Sequence, residues 1–177
     1  MTVMEAVRGR TSYRGKYKDI EVPRGDLIKI MEAGLAAPSG CNMQTTSLIA
    51  VDDAVLLAEL RKSIIPRIAE TAPAIICVLT QSVVAYKGRC FNIQDYSAAI
   101  QNMLLAIVEL GYQSCWYEGQ ITDTDEAGKK IAAALGAPEE YELVCVLPVG
   151  VADGKLSFAD KKPFSERAWF NGFKREE

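Results

Sequence analysis

Two short segments hold most of the chemistry available to this chain. Arg10-Thr11-Ser12-Tyr13-Arg14 puts two guanidinium groups and two hydroxyls within five residues. Such a set suits a phosphate, because arginine offers a planar fork of charged donors and serine or threonine adds neutral ones. Ala37-Pro38-Ser39-Gly40-Cys41-Asn42-Met43-Gln44 follows an apolar stretch with a Pro-Ser break and a glycine, so that backbone amides and the Asn42 side chain can approach a flat ligand closely. Together the two segments read as a cradle for a planar, phosphorylated cofactor.

The rest of the composition narrows the chemistry further. The 177 residues contain no histidine, so neither a Ser-His-Asp nor a Cys-His nucleophile system can be assembled, and histidine-ligated zinc is excluded as well. Cys41, Cys77, Cys90, Cys115 and Cys145 form no Cys-x-x-Cys pair. Cys77 and Cys145 lie inside apolar runs, and the set reads as thiols of a reducing compartment. Chemistry on a flavin survives these exclusions, because the ring handles the hydride while the protein supplies position and charge.

Taken in order, these segments resemble the nitroreductase family of FMN-dependent oxidoreductases: Arg-x-Ser-x-Arg near the start, then Pro-Ser-x-x-Asn-x-Gln after the next helix. Two further stretches fit the same pattern. Leu110-Gly111-Tyr112-Gln113-Ser114-Cys115-Trp116-Tyr117-Glu118-Gly119 is similar to the strand that the family lays beside the flavin ring, and Lys161-Lys162-Pro163 is similar to its basic tail. In many relatives Pro-Trp follows the glutamine of the second motif, whereas Gln44 is followed here by Thr45-Thr46.

The resemblance implies an α+β fold, a mostly antiparallel central sheet flanked by helices, with two chains interlocked as a homodimer and FMN at the subunit interface. It places Arg10, Thr11 and Ser12 on the phosphate and ribityl chain, and Arg14 toward the pyrimidine edge of the ring. Pro38, Ser39 and Asn42 would reach the flavin from the other chain. Glu118 and Gly119 would present a backbone amide to N5, and Lys161 and Lys162 would close the phosphate site. NADH or NADPH is the implied electron donor, and a nitroaromatic, quinone or similar flat small molecule the acceptor. Two other classes stay open: a flavin carrier or sensor without NAD(P)H turnover, and a cofactor-free dimeric interaction module.

The elements that must position these residues follow from the hydrophobic pattern. It predicts a short helix over Val3–Val7 and a helix from Pro23, as its first residue, to the Pro38 break, with Leu27, Ile28, Met31 and Leu35 at helical spacing. Strands are expected at Thr45–Val51, Ala74–Thr80, Gln113–Tyr117 and Glu142–Val149, and a helix capped by Asp53 follows the first of them. A further helix opens at Thr122 or Asp123 and closes at Gly136 and Pro138. The helix from Asp95 to Leu110 is apolar nearly all round between Met103 and Val108, so it must be central, with a second subunit offering further cover. Asp95 itself reads as a favourable charge at a helix N-terminus, and Cys115 as a packed core thiol.

No Gly-x-Gly-x-x-Gly follows any expected strand, which argues against a Rossmann arrangement. Phe158, Phe164, Trp169, Phe170 and Phe173 crowd a tail with no regular period. Residues 155–177 are therefore expected to dock as an arm on the partner subunit, the remainder forming one domain. Between Thr80 and Asp95 the chain is short beside larger family members. That implies an open pocket drawing on Tyr86, Phe91 or Trp116.

A net charge of −3 argues against nucleic acid as the partner, although Arg8, Arg10, Arg14, Lys16 and Lys18 cluster locally. No run approaches the ~20 apolar residues of a membrane span, and Glu5 stands where a signal peptide needs its apolar stretch. A cytoplasmic protein is expected.

Overall fold

The computed structural model describes residues 1–65, 67–122 and 126–173. Helices α1 (Val3–Gly9) and α2 (Arg24–Leu35) lead through a tight 3-10 turn at Gly40–Asn42 into strand β1 (Thr46–Val51) and helix α3 (Ala54–Lys62). Strand β2 (Ala74–Thr80), the small hairpin β3 (Val84–Tyr86) and β4 (Arg89–Cys90), and the long helix α4 (Asn92–Glu109) follow. Helix α5 (Ala127–Ala134) and strand β5 (Glu142–Val149) complete the domain.

The central sheet has the order β1-β2-β5 and is antiparallel throughout. Both of its faces are covered, which is why β2 and β5 read as continuous apolar runs rather than as alternating ones. Ala74, Ile76 and Val78 of β2 face a core shared with α2 and α4, while Ile75, Cys77 and Leu79 face a second core with α3 and α5. On β5 the alternation breaks, because Val78 pairs with Cys145 but Leu79 pairs with Leu143. Val144 is thus an extra residue, and this bulge turns both Val144 and Cys145 toward the α4 side.

Several ends differ from those that the pattern predicts. Pro23 caps α2 instead of opening it. Helix α5 begins at Ala127, after Thr122, and Asp123 lies outside the described residues. Gln113–Tyr117 is no continuous strand: it meets the free edge of β5 only at Gln113 opposite Gly150 and Tyr117 opposite Val146. That register sets Cys115 opposite Pro148, at a position where the ladder needs an N–H that proline lacks.

α4 is the central helix that its composition demands. Met103, Leu104, Ile107 and Val108 are buried, whereas Leu105 and Ala106 line a groove of about 380 Å³ with Val3, Ala6, Ala33 and Ala36. Among the described residues the tail adds nothing to either large core. Phe158, Phe164, Phe170 and Phe173 are exposed, and Phe164 meets Phe170, and Trp169 meets Phe173, at centroid distances of 6.2 and 3.9 Å.

Candidate flavin site

The arm following α1 is pinned to the sheet edge from two sides. The Tyr13 N–H donates to the Ser114 carbonyl at 2.9 Å, the Lys18 N–H to Val151 and the Asp153 N–H to Lys16, both at 2.8 Å. Tyr13 and Tyr17 bury their rings edge to face at 5.2 Å. A Cβ on Gly15 would lie 2.7 Å from the Tyr13 hydroxyl, so the turn over that ring requires glycine.

These contacts open a cleft of about 490 Å³ whose walls include Ser12, Arg14, Lys16, Lys155 and Ser157, with Asp153 as its one acid. Three cations and two hydroxyls against one carboxylate form a donor set for a dianion. The Thr11 hydroxyl is already committed, donating to the Ser157 carbonyl. The Thr11, Ser12 and Arg14 N–H groups have no acceptor among the described residues. Arg10, half-buried at the end of α1, donates its own N–H to Ala6.

A second group of donors lies at the far end of the 113–119 segment. The Glu118 carboxylate accepts from the Trp116 indole N–H at 2.6 Å and from the Tyr96 hydroxyl at 3.0 Å, which ties the turn to α4. The Glu118 carbonyl takes the N–H groups of Ile121 and Thr122. Neither the Glu118 nor the Gly119 N–H finds an acceptor among the described residues, and a Cβ on Gly119 would meet nothing within 4 Å. The chain itself therefore places no demand on this glycine. Burial, reinforced by the bond to Glu118, pushes the Tyr96 phenol up to about 12. Burial likewise lifts the Cys115 thiol to about 11, which keeps it a protonated core residue.

The third segment is a strained loop. Cys41, Asn42 and Gln44 all have positive φ (52°, 56° and 51°) without being glycine. Ser39 Oγ accepts the Gln44 N–H at 3.0 Å. Gly40 packs so tightly on Phe91 that a Cβ would lie 2.4 Å from that ring's Cβ. The carboxylate of Asp95 accepts the Gly40 N–H and the Thr45 hydroxyl, each at 2.7 Å. Pro38 and Ser39 border a cleft of about 180 Å³ with Asp95, and Asn42 is exposed.

The fold thus gathers the residues expected at the site into groups. Ser12 and Arg14 share one cleft, and they share it with Lys16 and Lys155, whose role the tail motif did not suggest. Lys161 and Lys162 are exposed and do not line it. The arm and the Pro38–Asn42 loop sit toward opposite ends of α4: Gly9 abuts Val108, and Gly40 bonds Asp95. Thirteen helical steps separate those anchors, roughly 20 Å along the axis. A larger cleft of about 620 Å³ beside α5 adjoins the Glu118 turn through Ile121 and Thr122 but holds none of the residues expected at the site, and among the described residues its charged lining is Glu126, Glu139 and Glu142 against Lys129, a poor setting for an anion.

The Nitroreductase family profile matches residues 7–73 and 64–151. The chain belongs to the nitroreductase family. It is 31% identical over 156 residues to a Methanothermobacter thermautotrophicus protein provisionally named NADH dehydrogenase/NAD(P)H nitroreductase, covering 85% of this chain and 77% of the relative. Among solved structures it is similar to an FMN-dependent nitroreductase from Clostridium difficile R20291 (30% identity, 96% and 99% of the two chains, TM-score 0.80). It is also similar to a nitroreductase with bound FMN from Bacteroides fragilis NCTC 9343 (29% identity, 92% and 95%, TM-score 0.72). The antiparallel α+β architecture is the nitroreductase fold. The family match ends at residue 151, before the basic tail.

Proposed function

We propose that this chain is an FMN-dependent oxidoreductase that takes a hydride from NADH or NADPH and reduces a nitroaromatic, quinone or similar flat acceptor. The observation that carries this reading is the placement of two unsatisfied donor sets at the two ends of one extended segment. The cationic cleft stands beside Ser114, and the free Glu118 and Gly119 N–H groups lie four to five residues on, roughly 13–17 Å at strand rise. An elongated ligand with a dianion at one end and a ring acceptor at the other fits that spacing.

The residues present suit FMN on chemical grounds. Ser12, Arg14, Lys16, Lys155 and Ser157 line the cleft and supply charged and neutral donors for the phosphate, to which the family resemblance adds Arg10 and Thr11. FMN bound there would supply the hydride-accepting couple. The Glu118–Gly119 turn, held from behind by Tyr96 and Trp116, orients its N–H groups without spending them on the chain.

The reading includes a homodimer. Pro38, Ser39 and Asn42 of one subunit complete the site of the other, as the family resemblance implies. The exposed aromatics of 155–173 then find cover on the partner. The reading includes a cytoplasmic protein. Among the described residues no helix is long and apolar enough to cross a membrane.

The test is the purified protein's absorbance spectrum, followed by chromatography of the cofactor released by heat. FMN that is bleached rapidly by NADH or NADPH supports the reading. FAD, or no flavin even after soaking with FMN, overturns it, and a bound flavin inert to both nicotinamides would make the protein a carrier instead.

A further inference from the structure

We propose that Asp95 is a positioning residue for the flavin: its carboxylate holds the Ser39–Gln44 loop in the left-handed conformation that presents Asn42 to the cofactor. This rests on the reading of that loop as part of the flavin site. Asp95 is 4% exposed, and a buried carboxylate is expensive unless its oxygens are well bonded. Here one oxygen accepts the Gly40 N–H and the other the Thr45 hydroxyl, both at 2.7 Å. Both partners lie in or beside the loop rather than on α4, so the acid does not serve its own helix end.

The two bonds fall where the loop needs them. Cys41 and Asn42 occupy the left-handed region in succession, and Gln44 returns to it after Met43. A conformation of that kind persists only when its surroundings over-determine it. Asp95 fixes the entry at Gly40. Its other oxygen holds Thr45, whose carbonyl is in turn fixed by the Gln81 N–H at 3.1 Å and the Thr80 hydroxyl at 3.3 Å. The loop is thus stretched between a rigid post at the head of β1 and the first turns of α4. Tyr96, the next residue of that helix, holds Glu118, so adjacent residues of α4 set both segments assigned to the ring.

The experiment uses full-length protein stripped of FMN. Affinity for added FMN is measured by flavin fluorescence well below the melting temperature, alongside thermal unfolding and sedimentation. D95A is expected to weaken FMN roughly tenfold or more, with the fold and the oligomeric state retained. D95N keeps one acceptor oxygen and can donate to a rotated Thr45 hydroxyl, so it should stay within about threefold of the parent. T45V should fall between these two, and T45S should restore affinity. If Asp95 acts through Asn42, D95A and N42A combine to much less than the sum of their separate effects.

Unchanged affinity in D95A, a loss confined to melting temperature, or full additivity with N42A overturns the proposal. Should D95A fail to fold, an unchanged affinity in T45V has the same force. A parent protein that binds no FMN removes the flavin reading itself, whereas a parent that binds FMN beside an equally competent D95A removes only the role of Asp95.

Discussion

The Tyr96 hydroxyl of α4 donates to the Glu118 carboxylate at 3.0 Å while the Trp116 indole holds the other oxygen at 2.6 Å. Three side chains thereby fasten to α4 the turn carrying the Gly119 N–H, which has no acceptor among the described residues. Tyr96→Phe keeps the ring and removes one donor. A bond to a charged acceptor contributes about 1.5–3 kcal/mol when buried, but Glu118 is half-buried and water can replace the phenol. We expect a stability loss near the lower end of that range in urea unfolding, with FMN affinity falling in parallel.

Stability should decline on the alkaline side. Burial raises Cys115 to about 11 and Cys77 and Tyr96 to about 12, above their ordinary values of 9.0 and 10.0. Between pH 9 and 12 the unfolded chain loses protons that the folded chain retains. Ionisation therefore favours unfolding, and the contribution present below pH 9 is lost as pH rises through the folded values. Denaturant midpoints measured from pH 8 to 11 should fall steadily. Tyr96→Phe should flatten the upper part of that decline.

How much of this was legible in the sequence depended on whether a residue's partner was near it in the chain. The apolar runs of β2 and β5 announced themselves with correct ends, and so did the cap at Asp53, whose carboxylate accepts the Leu56 N–H. The failed ladder at 113–117 required knowing that Cys115 would face Pro148, a long-range register. Asp95 read as a helix charge because its partners, Gly40 and Thr45, are 55 and 50 residues away. Lys155 was passed over for a similar reason. The tail motif drew attention to Lys161 and Lys162, while the pairing of Lys16 with Asp153 is what brings Lys155 to the cleft.

That difference can be measured. Lys155→Ala should weaken FMN binding several-fold, and the effect should shrink as salt screens the cleft. The double change of Lys161 and Lys162 to alanine should matter less unless a partner subunit brings the tail back to the phosphate. Titration of stripped protein at two ionic strengths separates these cases. Equal losses from both variants would return the tail lysines to the site.

Removing the chain after Pro163 tests the arm. Among the described residues none beyond Val149 belongs to either large core, the closest being the half-buried Val151 packed against one of them. The truncated protein should therefore keep its far-UV spectrum. If the exposed Phe164, Phe170 and Phe173 cover a second subunit, the truncated form should dissociate or aggregate in light scattering and lose flavin. A dimer that keeps its flavin without these residues would leave the aromatics some other purpose.

Steady-state kinetics should be ping-pong. The chain has no dinucleotide-binding Gly-x-Gly-x-x-Gly after any strand and no histidine or thiol pair to relay electrons to a second place. One pocket must then admit the nicotinamide, release it oxidised, and admit the acceptor against the same ring. With NADH or NADPH varied at several fixed concentrations of a quinone or nitroaromatic, double-reciprocal lines should run parallel. Addition of the oxidised nicotinamide should inhibit competitively against the acceptor, because both compete for the reduced enzyme. Intersecting lines would mean that both substrates bind together, which a single flavin face beside Glu118 and Gly119 does not allow.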